Sequence, residues 1–226
     1  YYRAGEGLVG SWFALVAYAT TAAASKTGLL SGVTSWVKGL WVTDLTTIPA
    51  TIGLPSWGGV VILAGVTGLV VHRFIVLERS RPAQIQLPAQ RTGLAHLLLE
   101  KQWNPLATGF LVGVVAVIAW PTSWASGRPD GLGITTPSSN LVNLIVTGDV
   151  KRLDWGVLLV LGILLGSYLA AKASGEFRVR VPSAQVIQRS IAGGVLMGIG
   201  AAWAGGCSIG NALVQTSLLS WQGWIA

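Results

Sequence analysis

Long apolar runs constrain this chain more than any other feature of its sequence. A helix of roughly 17–25 mainly apolar residues is long enough to cross the hydrocarbon core of a bilayer. Only 10% of the 226 residues are charged, whereas soluble domains carry about 25%. The sequence therefore predicts an all-α polytopic membrane protein with about six membrane-embedded segments. These segments lie near 7–25, 57–77, 105–121, 155–174, 190–204 and 208–226.

Basic residues between the apolar runs predict the orientation of the chain. Segment 73–104 has five basic residues against two acidic ones, segment 172–189 has four against one, and segment 122–154 has three of each. Cytoplasmic loops of membrane proteins carry an excess of Lys and Arg. We therefore expect residues 78–104 and 175–189 to form basic cytoplasmic loops and residues 122–154 to form an external loop.

The net charge of +7 favours a partner that carries negative charge. Basic loops next to membrane spans attract anionic lipid head groups or an anionic solute. Nucleic acid is not expected as a partner, because the Lys and Arg residues lie in short loops between apolar spans. The stretch GEGLVG, Gly5 to Gly10, matches G-x-G-x-x-G but follows no strand, so it does not indicate a dinucleotide site. With no Cys/His cluster either, we expect no cofactor and no metal.

Three G-x-x-x-G pairs indicate places where helices approach each other closely. Small residues four positions apart let neighbouring backbones come together in lipid. The pairs are Gly109 with Gly113, Gly162 with Gly166, and Gly194 with Gly198.

The single cysteine lies where the apolar pattern breaks, in the stretch AGGCSIGN. Irregular backbone at membrane depth is tolerated only where it is buried in protein or lines a cavity. A helix that restarts after the break directs backbone N–H groups and its positive dipole end at an anion. The predicted substrate pathway consists of Gly205, Gly206, Cys207, Ser208, Ile209, Gly210 and Asn211. The residues alone leave a second interpretation open, in which Cys207 is a small apolar side chain at a tight helix crossing.

The stretch GGCSIGNALVQTS, followed by SWQGWIA, resembles the second cysteine motif of the YeeE/YedE family of sulfur-compound transporters. The stretches LLLEKQWNPLATGFLVGVVAVIAW, GLGITTPSSNL and RSIAGGVLMGIGAAWAGG are similar to the second half of that family. The opening YYRAGEGLVGSW resembles the sequence after an earlier cysteine motif. The resemblance covers nearly all of the chain and corresponds to roughly the C-terminal two-thirds of such a transporter. We therefore expect residues 1–226 to be a single transmembrane domain, and a fragment that lacks the upstream cysteine motifs.

The resemblance implies uptake of thiosulfate across the bacterial inner membrane. It implies half of an inverted-repeat, hourglass-like fold with a broken helix at the cysteine. Cysteines along the path would pass the anion by transient S–H···S hydrogen bonds, without covalent chemistry, and in this chain Cys207 would take that role. Family members are also linked to a small cytosolic sulfur-carrier protein, which the basic loops would meet, and some are linked to selenium compounds.

Rival functions make different predictions about Cys207. A membrane thiol enzyme would carry a persulfide on Cys207 and would need a base or cation beside the thiol. No such group lies in the adjacent sequence, which favours the permease. A purely structural subunit would use the cysteine only for packing. The alternative substrates are a selenium compound or another sulfur oxyanion.

Overall fold

The computed structural model describes residues 1–40, 46–79 and 103–225, and within these ranges the chain is helical apart from turns, loops and two isolated β-bridges. A one-turn 3-10 helix and a π-helix accompany the α-helices. The 3-10 helix spans Val150–Arg152, and the π-helix spans Ile209–Gln215. The α-helices are α1 (Tyr2–Gly5), α2 (Val9–Lys26), α3 (Ser31–Gly39), α4 (Ile48–Ile52), α5 (Ser56–Arg79), α6 (Pro105–Ala125), α7 (Thr135–Thr147), α8 (Trp155–Ser174), α9 (Ala184–Trp203) and α10 (Trp221–Ile225).

Four of the described helices are long and apolar enough to cross a membrane, namely α5 (over Ser56–Leu77), α6, α8 and α9. They correspond to four of the six predicted membrane-embedded segments. Asn104 and Asp154 cap the first turns of α6 and α8 through side-chain oxygens that accept backbone N–H groups. The all-helical fold with membrane-spanning helices agrees with the prediction from the apolar runs.

The other two predicted segments have a different structure. The first forms α2, whose 18 residues are rich in Ala and Thr and which is not among the four candidate spans. The last, 208–226, is not one helix, because the π-helix and α10 are separated by a turn at Leu219, which has a positive φ of 54°. The described residues therefore contain four continuous candidate spans, and the count of six membrane-embedded segments stays a prediction.

The core is built on the close parallel packing of α2 against α9. A Cβ atom on Gly194 would lie 2.5 Å from the Ala14 carbonyl oxygen, and one on Gly198 would lie 2.8 Å from the Tyr18 carbonyl oxygen. Glycine at both positions therefore lets the two backbones touch, as the G-x-x-x-G pattern predicts. The other two pairs do not act this way among the described residues, since a Cβ at any of their four glycines meets nothing within 4 Å.

Helix α7 completes the core between α2 and α8 and lies inside the segment predicted as an external loop. Its first turn is buried through Thr135, Pro137, Ser138 and Ser139. A start rich in Ser and Thr carries no long apolar run, so the sequence pattern did not reveal this helix. The side of the membrane on which 122–154 lies stays a prediction.

The two predicted cytoplasmic loops are described only in part. Residues 80–102, most of the predicted loop 78–104, lie outside the described residues. In 175–189 the last residues are already helical, because α9 begins at Ala184. The start of α2 is joined to this loop, since Val9 N–H donates to the Arg180 carbonyl and Arg180 N–H donates to the Gly7 carbonyl.

Candidate functional site

The helix break at the cysteine begins where α9 ends, at Trp203. Gly205 follows with a φ of +75°, a left-handed conformation that costs an L side chain free energy and suits glycine. A Cβ at Gly205 would also lie 2.6 Å from the Gln222 amide nitrogen. Helical structure resumes at Ser208 and continues as the π-helix, a rare form that is frequent at functional sites.

A pair of amides holds the break in shape. Asn211 is buried, and its Nδ2 donates to the carbonyl oxygens of Ala204 and Gly206, both at 3.2 Å. Gln222 Nε2 donates to the same Ala204 oxygen and to Asn211 Oδ1, both at 3.0 Å. The carbonyls freed at the end of α9 therefore have partners without a continuing helix. We call Asn211 and Gln222 the amide clamp.

Cys207 lies between two cavities. The larger, of about 710 Å³, is lined by Tyr1, Tyr18 and residues of α2 and α9. The smaller, of about 80 Å³, is lined by Arg128, Thr135 and residues around the break. The residues that line both cavities are Ile134, Gly206, Cys207 and Asn211. The half-buried thiol of Cys207 is therefore part of the partition between them.

Several groups that can donate hydrogen bonds lie around the Cys207 sulfur and interact with it. They are the Thr135 hydroxyl and the backbone N–H groups of Ile134, Ile209 and Gly210. Thr135 is itself buried and accepts a hydrogen bond of 2.8 Å from the Tyr18 hydroxyl. Because that bond occupies a lone pair of the Thr135 oxygen, the Thr135 proton is free to turn towards the sulfur. The protein thus surrounds the sulfur with donors, which suits an atom that contacts an anion.

Arg128 lines the smaller cavity, and Lys26 lies beside it. Arg128 and Asp130 form an ion pair of 3.0 Å at its edge. Lys26 Nζ donates to the Thr136 hydroxyl beside the cavity and interacts electrostatically with Lys38, Arg128 and Asp130. Two cations, Arg128 and Lys26, and one carboxylate therefore give this end of the site a net positive charge.

The predicted pathway residues divide between the two cavities. Ser208 and Ile209 line the larger cavity, whereas Gly205 and Gly210 line the smaller one. Asn211 differs from the expectation in one respect: its backbone N–H donates to the Cys207 carbonyl at 2.8 Å and is not available to an anion. The Ile209 and Gly210 N–H groups interact with the Cys207 sulfur.

Sequence reasoning missed several residues that the structure brings to this site. Thr135 and Ile134 come from the start of α7, Tyr18 from α2, and Gln222 from α10. The only signal in the sequence was polarity within apolar surroundings, as in the stretch GLGITTPSSNL. Their proximity to Cys207 depends on the tertiary fold. Among the described residues, no group of three or more His, Cys, Asp or Glu side chains could hold a metal ion.

Comparison with known proteins gives consistent results. The chain is 48% identical over 228 residues to the thiosulfate transporter TsuA of Escherichia coli (strain K12), an alignment that covers all of this chain and 63% of that protein. It is 33% identical over 239 residues to the thiosulfate transporter TsuA of Spirochaeta thermophila, covering all of this chain and 66% of that protein. The chain therefore spans a little under two thirds of the length of each relative. The sequence profile of the family described as sulphur transport matches residues 1–226. On these grounds the chain belongs to the sulphur transport family, the family of sulfur-compound transporters that its cysteine motif resembles.

Proposed function

We propose that this chain forms the conducting part of a bacterial inner-membrane permease for the uptake of thiosulfate. The observation that carries the proposal is the position of Cys207 in the partition between two cavities. An anion that crosses from one cavity to the other would pass the residues of this partition, which include Cys207. The two relatives named as thiosulfate transporters support thiosulfate as the anion.

The direction of transport follows from the predicted orientation. The larger cavity is lined by Ser11, Ala14 and Leu15 of the first half of α2, and α2 begins beside Arg180 of the predicted cytoplasmic loop 175–189. It would therefore face the cytoplasm. The smaller cavity is bordered by Arg128 of the predicted external segment and would receive the anion.

The chemistry of the site suits weak and reversible binding. A thiol is a weak S–H donor and its sulfur is a weak acceptor, so a hydrogen bond to the terminal sulfur of thiosulfate is easily broken. Transport requires binding strong enough for entry and weak enough for exit. Cys207 would donate its S–H transiently to the anion while Thr135 and the Gly210 N–H contact its own sulfur. No covalent step and no cofactor are needed.

The proposal extends to the whole transporter. The two cavities that meet at Cys207 are consistent with an hourglass-shaped path, and we propose that this chain supplies one half of an inverted repeat around it. Six membrane-embedded segments would then include α2 and the broken segment 208–226. Apolar side chains of α5 and α6 are largely exposed and would contact lipid. The predicted basic cytoplasmic loops would be the place for a small sulfur-carrier protein to dock.

Two alternatives remain as proposals of lower rank. The same site would accept a selenium compound or another sulfur oxyanion, since a thiol and backbone donors do not distinguish these closely. A thiol enzyme with a persulfide on Cys207 is disfavoured, because the family description and both relatives' names are those of transport proteins.

Uptake of radiolabelled thiosulfate by cells that lack other routes tests the proposal. The complete gene is compared with its Cys207→Ala variant at matched membrane abundance. We expect uptake by the wild type and a loss of at least about tenfold in the variant, because one hydrogen bond to a charged group contributes about 1.5–3 kcal/mol. Equal uptake would show that Cys207 only packs. Absence of uptake in both would redirect the test to selenium compounds and other sulfur oxyanions.

A further inference from the structure

Arg128 is an enclosed cation at the edge of the smaller cavity. Its side chain is only 11% exposed. The guanidinium NH1 donates to Ser123 Oγ at 3.2 Å and to the Gly131 carbonyl at 3.0 Å. Ser123 is fully buried, and its hydroxyl donates to the Arg128 carbonyl at 3.0 Å. The end of α6 therefore fixes both the backbone and the side chain of Arg128 at the cavity edge.

Asp130 occupies the remaining face of this guanidinium. Its Oδ2 accepts from Arg128 NH2 at 3.0 Å, and its Oδ1 accepts the Gly131 N–H at 3.0 Å. The Asp130 side chain is 55% exposed, so it lies on the solvent side of the pair. A carboxylate in this position presents one oxygen, Oδ2, to Arg128, and an oxyanion from solution could form the same charge-assisted hydrogen bond.

The loop that carries the pair is firmly held against the broken helix. Gly131 is buried, and a Cβ there would lie 2.9 Å from Trp120 Nε1 and 3.2 Å from Val214 Cγ1. Val214 belongs to the π-helix that follows Cys207. The same small cavity is lined by Arg128, Asp130 and Cys207. An anion bound to the guanidinium would therefore lie in the same cavity as the Cys207 thiol.

We propose that Arg128 is the anion-receiving residue of the smaller cavity, and that Asp130 is an internal anion which the substrate must displace from it before reaching Cys207. The inference rests on the proposed function for the identity of the substrate. The exchange keeps the guanidinium of Arg128 paired with an anion at every stage, since the substrate takes the place of the Asp130 carboxylate. It also gives selectivity, because an anion that binds Arg128 more weakly than Asp130 does is not admitted.

Uptake kinetics of the complete protein test this exchange. Arg128→Gln removes the receiving charge and should raise the thiosulfate concentration for half-maximal uptake about tenfold or more, since a hydrogen bond to a charged group is being lost. Asp130→Asn removes the competitor and should lower that concentration about threefold, while sulfate becomes a stronger inhibitor. In the Arg128→Gln background, Asp130→Asn should have no effect, because the two residues act through one contact.

The chain offers a matched control in the same segment. Arg152 and Asp149 form a second ion pair, at 3.6 Å, with both side chains exposed by more than 40%. Arg152→Gln and Asp149→Asn make the same charge changes away from the cavity. We expect changes below about twofold that disappear at high ionic strength, as for general electrostatic steering. Equal effects from both pairs would overturn the proposal.

A second readout needs no transport of thiosulfate. The purified complete protein is treated with a negatively charged sulfonate-bearing methanethiosulfonate or with neutral methyl methanethiosulfonate, and modification of Cys207 is followed by mass spectrometry. The rate at which the charged reagent modifies Cys207, divided by the rate for the neutral reagent, should fall severalfold in Arg128→Gln and rise in Asp130→Asn. An unchanged ratio, or one that responds to Arg3→Gln of the larger cavity instead, overturns the proposal. A changed ratio without thiosulfate uptake by the wild type would support Arg128 as an anion site while refuting the proposed substrate.

Discussion

Two adjacent glycines of α9 should respond in opposite directions to the same substitution. A Cβ at Gly194 would lie 2.5 Å from the Ala14 carbonyl oxygen and 3.0 Å from the Ala17 Cβ, whereas a Cβ at Gly193 meets nothing within 4 Å. An ordinary van der Waals contact begins at 3.4 Å. Gly194→Ala must therefore push α2 and α9 apart by about 1 Å, and a closely packed interior resists such a displacement. Overpacking of this kind costs about 1–3 kcal/mol.

Gly193→Ala is the matched control, because it adds the same methyl group to the same helix without a clash. Replacing a helical glycine with alanine in open space should stabilise the fold by about 0.5–1 kcal/mol. At about 2–4 °C per kcal/mol, the value for 150–250 residues that unfold together, Gly194→Ala should lower the melting temperature by about 2–12 °C and Gly193→Ala should raise it by about 1–4 °C. The assay is thermal unfolding of the purified complete protein in detergent. A melting temperature for Gly194→Ala at or above that of the wild type would refute the close α2–α9 contact.

Three further predictions concern the helix break. Asn211→Leu removes three hydrogen bonds of the amide clamp and should destabilise the protein by about 1.5–4.5 kcal/mol, at about 0.5–1.5 kcal/mol for each bond. Gln222→Leu should destabilise it less, because Asn211 still donates to both carbonyls. Thermal unfolding measures the difference, and equal melting temperatures of the two variants would contradict it. Gly205→Ala places a side chain at a φ of +75° and should cost roughly 1–2 kcal/mol in the same assay, so an unchanged melting temperature would be inconsistent with the left-handed turn. Cys207→Ser keeps a donor but replaces a soft atom by a hard one, so its thiosulfate uptake should lie between those of the wild type and Cys207→Ala; uptake equal to the wild type would show that sulfur is not required.

The sequence predicted most of the membrane helices because their signal is local. The apolar runs at 57–77, 105–121 and 155–174 lie within the observed α5, α6 and α8, to within a few residues. The run at 190–204 missed the first turns of α9, since Gln185, Gln188 and Arg189 interrupt the apolar pattern there. Helix α2 is recognisable as a helix, but its small residues serve packing against α9, which a count of apolar residues does not reveal.

The candidate site was predictable only where chemistry and backbone signals coincide in the sequence. Gly205, Gly206 and Cys207 are adjacent, so both the break and the thiol were visible. The partners of the thiol were not, because Thr135 and Tyr18 lie far away along the chain and are brought together by the packing of α7 on α2. The π-helical geometry that follows the break depends on tertiary contacts and leaves no simple pattern of residues.

The most direct test of the central claim is whether thiosulfate protects Cys207 from alkylation. Membranes with the complete protein are treated briefly with N-ethylmaleimide at increasing thiosulfate concentrations, with sulfate in parallel. A cysteine introduced at an exposed position by Thr147→Cys reports any loss of reagent. If the anion passes the partition between the two cavities, thiosulfate should slow modification of Cys207 relative to the introduced cysteine, with half-protection near the concentration for half-maximal uptake. If thiosulfate leaves the ratio of the two modification rates unchanged while uptake proceeds, the path does not pass Cys207.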